Sequence, residues 1–333
     1  MSAHSLPHSW SELTWQQLCD CWDVKLRYGG NPDAARVAAL LTLCGLEVCR
    51  NNEMATSRYN DKTGELQFTL RDREGHLWTV TPRELSQMAK QALPWFDFPY
   101  GDPGEKEELD EKGKVTKPRR DAVSGYVGPM LDALALNETE LQVDGTWFAL
   151  PQVACNNITW QQYRSLQPLV PQLFQEGQTE TQVLDLQAQF LAHILVPDLP
   201  ATPSSASADR FRPAHTYRYM AERSEQTVPF WKERLTANPV LFHICFQAYH
   251  TAVLYYEKAY PLLFGGSSKS QEYTDALKGE SGTLNAVMKY AGYASQQEVY
   301  DSNLPFVLDI LNTMTKEAKE IEKMNSKIKR NNL

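Results

Sequence analysis

Cys19, Cys21, Cys44 and Cys49 form the densest cluster of residues whose type and spacing could do chemistry. Four nearby thiolates suggest tetrahedral zinc, but such sites draw paired ligands from spacings such as C-x2-C, often on knuckle turns. Cys19 and Cys21 instead fall two apart on an expected helix and point to nearly opposite sides, while Cys44 and Cys49 flank a helix end. They read as free thiols acting as small buried hydrophobes. His243 and His250 share a helical face but stand about 10 Å apart along its axis, too far to hold one ion together. They read as core or interface histidines. The chain has no G-x-S-x-G elbow, P-loop or dinucleotide-binding fingerprint. Gly29-Gly30-Asn31 could cradle an anion ahead of a helix, although a C-cap followed by an N-cap explains it more simply. Glu107 and Glu108 lie in a polar run where nothing would desolvate or orient them for acid–base work. No catalytic residue, metal ligand or cofactor is expected from these patterns.

The elements that would have to position any site are spelled out more clearly. Thr14 with Gln17, Thr81 with Glu84, Thr159 with Gln162, and Ser295 with Glu298 each match the capping-box pattern. In that pattern the hydroxyl takes the N3 amide and the N3 side chain reaches back to the cap amide. Leu13 with Leu18, Val80 with Leu85, and Ile158 with Tyr163 bracket three of these boxes as hydrophobic staples. A helix from Trp15 towards Tyr28 is followed by one capped by Asn31, with Pro32 at its start and its close near Gly45. Glu65–Leu70 and His76–Val80 read as a β-hairpin, and Glu140–Val143 and Thr146–Leu150 as a second, turned by Asp144-Gly145. Hairpin, proline and capped helix thus occur twice, over residues 65–93 and 140–167, an order that either a diverged duplication or common turn chemistry would produce. Pro239 to Phe264 is apolar on more than one face but carries His243, Gln247, His250, Glu257 and Lys258, so it reads as a buried helix opened by Asn238 rather than a membrane span.

Composition sets the outer bounds. The chain has 333 residues, of which 42% are hydrophobic, and a formal charge of −8. That is ordinary for a globular protein and adverse to broad phosphate-backbone binding, so a nucleic-acid partner is not expected. With no leader-like segment and no even cysteine framework, the expectation is a cytoplasmic protein without a membrane partner. A charged run over 101–120 and a Pro/Ser/Ala run over 199–208 are linkers by composition. They divide the chain into a helical domain with a hairpin (1–100), a hairpin-plus-helix domain (121–198) and a C-terminal helical bundle (209–333). The expected fold class is mainly α, multi-domain, with one or two small β-hairpins.

The C-terminus carries the most interpretable functional pattern. Val307, Leu311, Met314, Ala318, Ile321, Asn325 and Ile328 follow alternating spacings of four and three, a coiled-coil seam with a polar residue at a core position. The seam either folds back on its own domain or projects towards a partner, and the charged, glycine-free end favours projection.

The segment Lys289-Tyr-Ala-Gly-Tyr-Ala-Ser-Gln-Gln-Glu-Val-Tyr-Asp-Ser-Asn-Leu-Pro-Phe-Val-Leu-Asp-Ile-Leu311 is similar to the C-terminal segments of tail-assembly proteins of temperate phages, especially Bacteroidales prophages. Trp10-x-x-Leu13-Thr14-Trp15-Gln16-Gln17-Leu18 and Tyr28-Gly29-Gly30-Asn31 also resemble such prophage proteins. The resemblance implies a non-enzymatic assembly chaperone or structural adaptor in the bacterial host cytoplasm. Its partner would be a long helical phage structural protein, or a second copy through the C-terminal helix. The competing expectation is an enzyme with a site assembled between the second and third pieces, recognisable as a deep pocket with converging polar groups near His215, Tyr217 or Tyr219.

Overall fold

A computed structural model of the chain describes residues 6–49, 57–59, 64–97, 108–109, 115–117, 136, 138–198, 217–264 and 280–331. It is mainly helical with a minor β component, and the chain divides into two compact units, Met1–Asn137 and Glu138–Leu333.

In the first unit, α1 (Trp15–Arg27) opens on the Thr14 box. Thr14 Oγ1 accepts the Gln17 amide at 3.3 Å and Gln17 Oε1 accepts the Thr14 amide at 2.9 Å. Asn31 Oδ1 accepts the Ala34 amide to cap α2 (Pro32–Cys44), which Gly45 closes in the left-handed region at φ 64°. The positive φ is what favours glycine at this position. The expected hairpin forms between β3 (Leu66–Arg71) and β4 (Leu77–Val80). The opposite edge of β3 carries two short strands that hydrophobic patterning did not reveal, β1 (Glu47–Val48) and β2 (Ser57–Tyr59). The Thr81–Glu84 box starts α3 (Pro82–Ala92) directly after β4. At the core, the Trp10 ring lies 5.6, 5.4 and 5.5 Å from those of Trp22, Trp95 and Phe96, and its indole N–H donates to the Trp95 carbonyl. The run 101–120, expected as a linker, contains a small ladder of β5 (Glu108–Leu109) with β6 (Val115–Lys117).

The second unit begins with β7 (Glu140–Val143) and β8 (Thr146–Ala149). Asp144 and Gly145 both have positive φ, 48° and 83°, as a two-residue primed turn requires. After a short turn come α4 (Trp160–Leu166), opened by the Thr159–Gln162 box, and α5 (Leu169–Leu173). Another box, Thr179 with Gln182, opens α6 (Glu180–Ile194). The chain continues through β9 (Val196–Pro197), α7 (Ala221–Gln226) and α8 (Val228–Ala237) to α9 (Val240–Ala259). Asn238 Oδ1 accepts the Val240 amide at 2.9 Å, the cap expected there. The unit ends in α10 (Pro261–Phe264), α11 (Glu280–Ala291), α12 (Gln296–Asp301) and α13 (Leu304–Asn331). At α12, Ser295 Oγ accepts the Glu298 amide, while the Glu298 carboxylate accepts from the Ser295 hydroxyl and the Ala294 amide rather than from the Ser295 amide, so the reciprocal backbone bond of the box is not made.

The second and third pieces cluster together as one compact unit. Residues before and after 199–208 share one core: α6 packs against α4 and α5 on one side of that break and against α7, α8 and α9 on the other. The Trp231 ring of α8 lies 4.8 Å from Phe148 of β8. A run of small residues is a linker by composition, but two apolar faces that meet across it make one domain. The two hairpins also hold different places in their sheets. The first strand, β3, is central in one, whereas the second strand, β8, lies between β7 and β9 in the other. Among the described residues no helix is long and apolar enough to cross a membrane.

Candidate functional site

Side chains alternate across the β7–β8–β9 sheet, so its two faces serve different purposes. The row Leu141–Phe148–Pro197 turns one face inward, with Phe148 buried against Phe230 and Trp231. The adjacent row, Glu140–Ala149–Val196, forms the floor of a cleft of about 510 Å³. Ala149, the smallest of the three side chains, leaves the middle of the floor low. Ile158 and Ile194 extend this apolar surface, Gln152 and Asn157 stand on one side, and Tyr217, Arg218, Tyr219, Asp301 and Asn303 close the rest.

Backbone pairing brings these distant segments together. Thr159 bridges Asn303, with Trp160 N–H donating to Ser302 O at 2.8 Å and Leu304 N–H to Ile158 O at 2.9 Å. Asp198 bridges Tyr217 in the same antiparallel sense. The wall at 152–157 is held in a rarely populated conformation: Ala154 and Cys155 both have positive φ, 55° and 49°. Tyr256 Oη donates to the Ala154 carbonyl at 2.6 Å, and Asn157 ties the loop at both ends, accepting from Gln152 N–H and donating to Leu150 O. The surrounding bonds thus over-determine this loop, as strained segments require to persist.

The polar groups form three sets. Burial, followed by the charges of Glu140 and Asp198, holds the Tyr217 hydroxyl far above the usual tyrosine range. At the rim, Arg218 Nη2 meets Asp301 Oδ2 at 3.1 Å. Behind the wall, Tyr219 Oη donates to Ser165 Oγ at 3.0 Å and stands 2.8 Å from His193 Nδ1. With the tyrosine proton committed to Ser165, His193 donates from Nδ1, and burial lowers its pKa, keeping the ring neutral. Gln162, fully buried, donates to the His193 carbonyl while accepting from the Thr159 amide, so one side chain serves both the cap and the cleft wall. Ser165 therefore meets a tyrosine rather than a base, and burial pushes the Cys155 thiol up to about 12. This chemistry suits holding a ligand better than forming a covalent intermediate.

The cleft lies between the two segments that flank 199–208 and includes Tyr217 and Tyr219; His215 lies outside the described residues. Glu140, Arg218, Asp301 and Asn303 had no sequence signal, because they come from separate segments and match no motif. The C-terminal seam divides in two. Val307 and Leu311 are 0% and 7% exposed, in the half of α13 that packs against α4, α10 and α11. Met314 and Ala318 are half-buried, Asn325 is exposed, and Ile321 is 54% exposed. Ile328 lies on the same helix, but its side chain is outside the described set. Val307 and Leu311 thus belong to the chain's own core rather than to a partner surface: α13 starts at the bridged Asn303 and is laid down along the bundle before it reaches solvent.

Cys21, Cys49, Cys155 and Cys245 are buried, Cys19 and Cys44 half-buried, and none of the six is in a disulfide. Among the described residues, one trio has ligand atoms within 4.8 Å of one another, Asp72, Glu74 and His76 in the β3–β4 turn. Asp72 Oδ1 accepts the Glu74 and His76 amides, so that geometry is already explained as the hairpin's own turn. No family model, curated protein or solved structure matches this chain.

Proposed function

We propose that this chain acts by helix-mediated protein contact, as an assembly adaptor or chaperone of the kind that the tail-assembly resemblance implies. The observation that carries this reading is the change of character along α13. Its first half is core, whereas beyond Thr315 the same helix keeps an apolar stripe in solvent, with Ile321 and Met324 54% and 57% exposed. Charged residues flank that stripe: Lys316, Glu317, Lys319, Glu320, Glu322 and Lys323. Amphipathic helices of this type bind by laying the apolar face against another helix or into a groove. The partner on this reading is a long helical structural protein of a phage tail, and the host cytoplasm is the place of action.

The division of α13 places the test. A truncation after Lys316 leaves Val307, Leu311, Asn312 and Thr315 in place, whereas one after Leu311 would cut into the core. Full-length protein, the truncation and an Ile321→Asp/Met324→Asp variant would each be co-expressed with the tail structural protein. Recovery of the complex with the full chain alone supports the reading. Equal recovery with all three, or none with the full chain, removes it. Sedimentation of the same proteins would show whether the second copy is the partner instead.

A further inference from the structure

We propose that the cleft of the second unit is a binding site for a small organic cation, a primary ammonium or guanidinium compound. This goes beyond the helix reading and does not depend on it. At about 510 Å³ the cleft falls in the size range of small-ligand sites, with Ala149, Ile158, Ile194 and Val196 as an apolar patch in an otherwise polar lining. The sign of the charge selects the ligand. The charged lining residues are Glu140, Arg218 and Asp301, and Arg218 is already neutralised by Asp301 at the rim. Glu140 remains as the charge within, and its charge and that of the Asp198 carboxylate both act on the Tyr217 hydroxyl. A carboxylate accepts about four hydrogen bonds. An N–H-rich cation can use these, and Gln152 and Asn157 belong to the same lining. An anion would face Glu140, with Arg218 already paired to Asp301 at the rim. The strained 152–157 wall, fixed by Tyr256 and Asn157, gives the site a shape before any ligand arrives.

The test uses full-length protein labelled with 13C at isoleucine methyls. Ile158 and Ile194 line the cleft, while Ile244 and Ile310 sit in the core as internal controls. Agmatine, which carries both cationic groups, would be titrated beside butylamine, succinate and butanol. Saturable shifts of Ile158 and Ile194 with agmatine and butylamine are expected, without movement of the control methyls, and absent with succinate. Glu140→Gln, which preserves shape, should weaken agmatine binding at least about tenfold, and Ala149→Leu, which fills the floor, should abolish it. Raising the salt should weaken binding to the wild type and leave Glu140→Gln little affected. Three results would overturn the proposal: no saturable shift up to about 10 mM agmatine, succinate binding as tightly as agmatine, or agmatine binding indifferent to Glu140→Gln. If Ala149→Leu fails to fold, the isosteric variant and the methyl map decide alone.

Discussion

At the scale of single residues, identical capping chemistry carries very different consequences. Gln17 and Gln162 close the same kind of box, but Gln17 does so in solvent while Gln162 is buried and also holds the His193 carbonyl. Gln17→Ala should cost about 0.5–1 kcal/mol, as exposed caps do. Gln162→Ala should cost at least about 2 kcal/mol, because it leaves buried groups without partners. Parallel urea titrations of the two variants check this, and equal losses would refute the assigned double role. A second residue-scale prediction concerns acid. Burial lowers the His243 pKa from 6.5 to about 4, and it lowers those of His193 and His250 in the same direction. Between these values the unfolded chain binds the proton and the folded chain does not, so stability is fully present above pH 6.5 and is lost as pH falls towards 4. With the ring half-buried, His243 should account for roughly 1–2 kcal/mol of that loss. Thermal melts from pH 7 to 4 should show a shallower decline for His243→Gln than for the wild type.

At the scale of elements, local rules read best where a side chain answers its own backbone. The Thr14, Thr81 and Thr159 boxes, the Asn31 and Asn238 caps, the Gly45 close and both hairpins all lie within a few residues of the bonds that form them. The β7–β8 turn makes this measurable. Gly145 at φ 83° has open space where a Cβ would go, so Gly145→Ala should cost about 1–2 kcal/mol through backbone strain alone. Thermal unfolding checks the size, and a loss near zero would mean that the turn relaxes to another type. Strands β1, β2 and β9 were not legible, because short edge strands owe their existence to the strand beside them rather than to their own pattern. The seam of α13 was legible as a stripe, but spacing alone does not distinguish a stripe that meets its own bundle from one that meets solvent. Val307 and Ile321 occupy equivalent positions in the repeat and have opposite exposures.

At the scale of the whole molecule, composition placed a break at 199–208 where packing made one unit. Cleavage at a protease site engineered between Ser204 and Ser205 should therefore leave the two products associated. They should co-elute on size exclusion and separate only in denaturant; independent elution would restore the three-piece division. The sequence by itself determined which segments coil, where they start and how the hairpins turn, since those choices are made by hydrogen bonds and dihedral preferences spanning three or four residues. Only the tertiary structure decided that Glu140, Asn157, Tyr217, Asp301 and Asn303 share one cleft and that half of one helix is core. Such sites are made by the meeting of faces far apart in the chain. Burial, not spacing, determines what those faces become.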